Sequence, residues 1–156
     1  MFEKFGEFDD YTGINKAAAG LKEEGDTDGL TALARENGFT EAEVSDYVEG
    51  ETLTLCTATS AAIARLALEL ENTKENKDMM RVIYDMAKSM VMDELGEDKQ
   101  PFSEAVTKKG RRMDKILEKM REEARKKQKG GAGCVCGTDR DLQRRIRSYY
   151  EGRKKA

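Results

Sequence analysis

LTLCTATSAAIARLALEL, residues 53–70, reads as a helix that is apolar nearly all round. Leu55, Ala58, Ala62, Ile63, Leu66 and Leu70 recur at helical spacing within it. A helix without a polar face is buried at the centre of a fold or in an oligomer. The stretch therefore predicts the central helix of an all-helical bundle. After a turn at Asn72-Thr73-Lys74-Glu75-Asn76-Lys77, a second strong helix follows. It carries Met79, Val82, Ile83, Met86, Met90 and Val91 on one broad stripe. Such methionine stripes are adaptable binding surfaces in some proteins and core in more. Leu55, Ile63, Leu66, Ile83, Met86 and Met90 are the expected core, which a second copy of the chain could share.

Outward to the N-terminus, residues 1–50 read as an acidic module of three short helices. Ile14, Ala17, Ala18 and Leu21 share one face of the first, and Gly25 ends it. Asp26 caps the second, which carries Leu30, Leu33 and Ala34 and stops at Asn37-Gly38. The third has the clearest start in the chain. Thr40 and Glu43 are spaced for a capping box, and Phe39 and Val44 for a hydrophobic staple. Three short helices with a tight turn also suggest a helix-turn-helix. However, the would-be recognition helix displays Glu41, Glu43, Asp46 and Glu49, which repel phosphates. That face is instead a secondary, acidic contact surface.

Outward to the C-terminus, residues 51–100 form the apolar core segment and residues 101–156 a basic region, with the polar break Gly96–Pro101 between them. A long helix is predicted over 108–129, with a narrow stripe of Met113, Ile116, Leu117, Met120 and Ala124. A Gly-rich loop containing Cys134-Val135-Cys136 follows. The last helix is capped by Thr138 or Asp139 and ended by Gly152, with Leu142, Ile146, Tyr149 and Tyr150 inward and its arginines outward. The two make a basic helical hairpin. In all, the chain predicts an all-α fold of about six or seven helices. Helix-favouring Ala, Leu, Met, Glu, Lys and Arg dominate, and β-branched and aromatic residues are sparse.

Absences narrow the chemistry. The chain has no histidine, which excludes a Ser-His-Asp triad, a Cys-His pair and any His-containing zinc site. It has no Walker loop and no Gly-x-Gly-x-x-Gly. Cys134 and Cys136 are half of a metal site at most, and Cys56 is the one other thiol, so no metal and no cofactor is expected. Three cysteines fit a reducing compartment. No apolar run is long enough for a bilayer, and the mixed, acidic start is unlike a signal peptide. The expectation is a cytoplasmic, non-enzymatic protein that works by binding a partner.

The overall charge of -3 hides a split. Residues 1–105 hold 24 acidic and 10 basic residues, net -14, whereas residues 106–156 hold 7 acidic and 18 basic, net +11. Asymmetry on this scale points to two electrostatic tasks or to two ends that attract each other. The basic third is the candidate contact for a partner or for nucleic acid, through Arg111, Arg112, Arg121, Arg125, Arg144, Arg145 and Arg147. Tyr149 and Tyr150 could stack on bases, though their spacing suits core packing better.

The run Lys108-Lys109-Gly110 through Met113, Ile116 and Met120, then the small-residue loop and Asp139 to Tyr149-Tyr150, resembles the C-terminal region of PcfK-like proteins. These are small helical proteins of conjugative elements, in a group that includes inhibitors of class 2 CRISPR nucleases. The start, with Phe2-Glu3-Lys4-Phe5-Gly6-Glu7-Phe8-Asp9, Asn15-Lys16-Ala17-Ala18, Glu24-Gly25-Asp26 and Glu36-Asn37-Gly38, is similar to small proteins from integrative elements and prophages of gut Firmicutes. Residues 53–100 take no part in either resemblance, and the Cys-Val-Cys loop departs from the aliphatic and acidic loop of the PcfK-like pattern. The resemblance implies a mobile-element protein in a bacterial host cell, acting as an anti-CRISPR that binds a Cas nuclease or its guide-RNA complex. The alternative is a conjugation or phage accessory protein that binds DNA or RNA directly.

Overall fold

The structure, a computed structural model, describes residues 1–129 and 138–152. Among these residues, eight helices run in the order α1 (Tyr11–Glu23), α2 (Thr27–Glu36), α3 (Glu41–Val48), α4 (Ala58–Glu71), α5 (Lys77–Met92), α6 (Pro101–Val106), α7 (Met113–Lys129) and α8 (Asp139–Glu151). No strand occurs among the described residues. The fold is all-α, with one helix beyond the expected six or seven. No helix among the described residues is long and apolar enough to cross a membrane.

Local signals set most of the boundaries. The Asp26 carboxylate accepts the Gly29 N–H at 2.8 Å and starts α2. At α3, Thr40 Oγ1 accepts from Glu43 N (3.2 Å) and Glu43 Oε2 accepts from Thr40 N (2.7 Å), the reciprocal bonds of a capping box. Phe39 and Val44, spaced for the staple, are both buried. Thr40→Ala removes one of these bonds and is expected to lower stability by about 0.5–2 kcal/mol, read by urea denaturation. No change would mean that burial of Phe39, Val44 and Tyr47 holds α3 without its cap.

The central helix is shorter than residues 53–70 suggest. Thr57 Oγ1 accepts from Ser60 N at 3.0 Å, Ser60 Oγ accepts from Thr57 N at 2.9 Å, and α4 starts at Ala58. Residues 51–57 form a loop whose end is clamped to α1. Asn15 Nδ2 donates to Cys56 O (2.9 Å), and Asn15 Oδ1 accepts from Cys56 N (3.0 Å). Leu55 and Cys56 are buried there, whereas Leu53 is 97% exposed.

Two apolar clusters meet on α4. Ala61 and Ala64 join Ile14, Ala18, Leu30, Leu33, Phe39, Val44, Tyr47 and Leu55 under α1–α3. Ala62, Leu66 and Leu70 join Ile83, Met90, Phe102, Val106, Met113, Ile116, Ile146 and Tyr150 from α5–α8. Service to two cores is why α4 lacks a polar face. Of the expected core residues, Leu55, Leu66, Ile83 and Met90 are buried, while Ile63 and Met86 are partly buried at its margin. The C-terminal helices share their core with α4 and α5 rather than standing apart.

The long basic helix starts at Met113, five residues later than its sequence suggests. Gly110 has a φ of +80°, outside the helical range, and Lys108–Arg112 form the connection from α6. Glu69 Oε1 of α4 accepts the Met113 N–H at 2.7 Å, supplying from another helix the partner that an N-terminal amide lacks.

Candidate functional site

Helices α7 and α8 pack as an antiparallel hairpin. Near its root, the Arg112 N–H donates to Tyr149 Oη at 3.0 Å. Further out, Arg145 donates both Nη groups to the Glu123 carboxylate at 2.8 and 2.7 Å. Residues 112 and 123 thus lie beside 149 and 145, and the distal end of the hairpin holds the last turns of α7 and the first of α8. Thr138 Oγ1 and Asp141 form the capping box that starts α8.

The seven candidate arginines divide into two sets. Arg111 Nη1 donates to the Tyr149 and Tyr150 carbonyls at 2.8 and 2.7 Å, capping the end of α8. Arg112 Nη1 donates to Glu7 Oε1 at 2.7 Å. Arg145 is held by Glu123, and Arg147 by Glu151 at 3.1 Å. Arg145 and Arg147 were expected to point outward, yet both are half-buried, because carboxylates of the fold take their guanidinium groups. Arg121, Arg125 and Arg144 are exposed. The one ion contact among these three is Arg144 to Asp141 at 4.0 Å, with both side chains more than half exposed, a geometry worth little.

Lys126 and Arg140 belong with the exposed set, although they are not among the seven candidates that the sequence suggests. Neither makes a hydrogen bond or ion pair among the described residues, and both are exposed. The available signal was spacing, since Arg121 and Arg125, like Arg140 and Arg144, are four residues apart and share a helix face. The side of α7 facing α8 carries Lys119, whose Nζ lies 5.1 Å from the Tyr149 ring centre, and Glu123. Arg121 and Arg125 are each two residues further on, about 200° round the helix, on the outer flank. On α8, Arg145 and Tyr149 face α7, so Arg140 and Arg144 lie towards the other flank. The distal hairpin therefore carries one pair of arginines along each outer edge.

The tyrosines do not line this surface. Tyr150 is 1% exposed, edge-on to Phe102 at 5.7 Å and to Tyr149 at 5.0 Å. Tyr149 is held by Arg112 and Lys119.

A buried charge cluster at the root was not read from the sequence. Glu7 Oε1 accepts from Arg65 Nη2, from Arg112 Nη1 and, at 3.1 Å, from Gly110 N. Arg65 Nη2 also donates to Arg111 O at 3.3 Å, and its guanidinium lies under the Phe2 ring at 4.8 Å. Arg65 Nε is 3.4 Å from Glu69 Oε2 without forming a hydrogen bond. Burial pushes the Glu69 carboxyl up to about 8. The signal was Arg65 and Glu69 themselves, an i,i+4 charge pair inside an otherwise apolar helix. Further along the N-terminal segment, Lys108 Nζ meets Asp10 at 3.2 Å and Lys109 N donates to Asp9 O at 2.9 Å. Part of the charge split is thus internal, with acidic N-terminal residues pairing with the start of the basic third.

On the secondary acidic surface, Glu41, Asp46 and Glu49 are exposed, and Glu43 is half-buried in the α3 cap. Glu41 meets Arg35 at 3.8 Å, with both side chains largely in solvent. Cys134 and Cys136 lie outside the described residues. Burial pushes the Cys56 thiol up to about 12. Among the described residues, no group of three His, Cys, Asp or Glu side chains is placed to hold a metal ion.

The two sets of arginines call for opposite responses to one change. Arg145→Gln is expected to cost about 0.5–1 kcal/mol, because it breaks a two-pronged, half-buried pair. Arg144→Gln should stay within about 0.5 kcal/mol. Thermal melts of the two variants check the ranking, and a costlier Arg144 variant would contradict the division.

Compared with protein-family models, curated proteins and solved structures, the chain matches none.

Proposed function

We propose that the protein is a non-catalytic binding protein whose distal α7–α8 hairpin grips a polyanionic partner, a nucleic acid either free or held in a ribonucleoprotein. The observation that carries this reading is the exposed set Arg121, Arg125, Lys126, Arg140 and Arg144, on the second half of α7 and the first half of α8, interspersed with exposed Glu118, Glu122, Asp139 and Asp141. Arg111, Arg112, Lys115, Arg145 and Arg147 are used by the fold. Exposed Lys and Arg concentrated on one element are the electrostatic footprint of phosphate binding. The PcfK-like resemblance makes the partner the guide-RNA complex of a class 2 CRISPR nuclease and the protein its inhibitor. The alternative, a conjugation or phage accessory protein, binds free DNA or RNA with the same surface. Pull-downs on a panel of Cas ribonucleoproteins, with free duplex as control, separate the two.

Arg121, Arg125 and Arg144 changed together to glutamine should weaken binding. They should flatten the dependence of log K on log salt by about 0.9 for each phosphate no longer neutralised. The melting temperature should hardly move, since these side chains hold no other part of the fold. Unchanged affinity with an unchanged slope would overturn this reading and leave the acidic surface of Glu41, Asp46 and Glu49 as the candidate contact, for a basic partner in place of a polyanion.

A further inference from the structure

Resting on that reading, we infer that the nucleic acid gripped by the hairpin is a duplex, held through both of its phosphate backbones and without regard to base sequence. Three observations converge on this. First, the chain has five Phe, five Tyr and no Trp, and none of these ten side chains is exposed. Proteins that hold single strands without sequence preference stack bases on exposed aromatic rings. The hairpin offers no such platform, since its two rings, Tyr149 and Tyr150, are built into its root.

Second, the arginines lie in two separate rows. Arg121 and Arg125 line the outer flank of α7 beyond exposed Asp114 and Glu118 on the same face, and Arg140 and Arg144 the outer flank of α8. Two packed helices, each about 10 Å across, set the rows about 20 Å apart. That arrangement suits two phosphate strands separated by a groove. A single strand would meet one row and leave the other idle.

Third, the leading turn of α8 is acidic. Asp139 and Asp141 are exposed there, and the Thr138 bonds hold the Asp141 carboxyl below the usual carboxylate range. A recognition helix reads base edges with its N-terminal residues after passing between phosphates. These carboxylates oppose that insertion. The hairpin therefore rests on the backbones, and contacts of that kind position a protein without carrying sequence information.

The test measures binding of the full-length protein by fluorescence anisotropy across a salt series. The probes are a DNA duplex, an RNA duplex of the same sequence, a base-scrambled DNA duplex and the separated strands. At least one duplex type is expected to bind about 10-fold more tightly than its strands, and the two arms tell which. The scrambled duplex should match the original, and log K should fall against log salt with a slope of about -4 for four or five phosphates neutralised. Arg121→Gln with Arg125→Gln, and separately Arg140→Gln with Arg144→Gln, should each flatten that slope by about two units. Circular dichroism confirms that both variants remain helical. Equal or tighter binding to single strands overturns the inference, as does a clear preference for one sequence, or a response to one row alone. If no duplex binds but the triple arginine variant still loses capture of a ribonucleoprotein, this inference falls and the proposed function stands. If both responses are absent, both fall.

Discussion

Arg65→Met is expected to destabilise the protein by about 3–5 kcal/mol, the usual result of removing one partner from a buried ionic cluster. Arg65 is 7% exposed, yet its guanidinium meets Glu7, Arg111 O and the Phe2 ring and lies beside Glu69. Methionine fills much of the volume but leaves these acceptors facing an apolar group. Glu7 keeps Arg112 and Gly110 N, so the loss falls mainly on Glu69 and on the Arg111 carbonyl. Adding Glu69→Gln to Arg65→Met should change that cost little near neutral pH, because burial already keeps the Glu69 carboxyl protonated there. Urea denaturation of both single variants and the double gives the coupling directly. A cost below about 1 kcal/mol for Arg65→Met would show that water replaces the guanidinium and that the cluster does not hold the N-terminal segment to the bundle.

What could be read from the sequence was what is local in the chain. Asp26 reaches Gly29 and Thr40 reaches Glu43, three residues away in each case, and both caps formed as their spacing predicts. The start of α4 departs from its expected place because Leu53 and Leu55 continue the apolar spacing beyond the Thr57–Ser60 cap. The chain follows the cap and leaves Leu53 in solvent. The Glu7 cluster joins residues more than fifty positions apart, so no window of sequence displays it.

The candidate site was legible only as a total. Net charge located the basic third, but charge does not reveal which cations the fold itself uses. Arg147 and Glu151 could be paired from their i,i+4 spacing. The use of Arg145 by Glu123 depends on the register of two helices, and that of Arg111 by the α8 carbonyls depends on where α8 ends. That register also puts the two arginine rows on opposite flanks and so turns a set of charges into a shape.

The stability of the protein is expected to fall as pH rises from about 5 to 8, and Glu69→Gln is expected to abolish that slope. Burial holds the Glu69 carboxyl at about 8 in the folded state, whereas an unfolded chain releases the proton near its ordinary value of 4.5. Between those values the folded state binds the extra proton, so the stability linked to this group is fully present below about 4.5 and lost as pH climbs through 8. One proton corresponds to at most about 1.4 kcal/mol per pH unit, and the nearby Arg65 guanidinium, which favours the ionised form, reduces the total. The chain has no histidine, so ordinary side-chain titrations leave the interval nearly clear. The lowered Asp10 and Asp141 carboxyls act in the opposite sense and only in acid, where stability falls as they gain protons. Glutamine keeps an oxygen for the Met113 N–H and so preserves the start of α7 while removing the titration. Urea midpoints measured at half-unit intervals from about pH 5 to 8.5 give the slope for both proteins. A flat native profile would place Glu69 ionised against Arg65 throughout, and identical slopes in native and variant would assign the dependence to some other group.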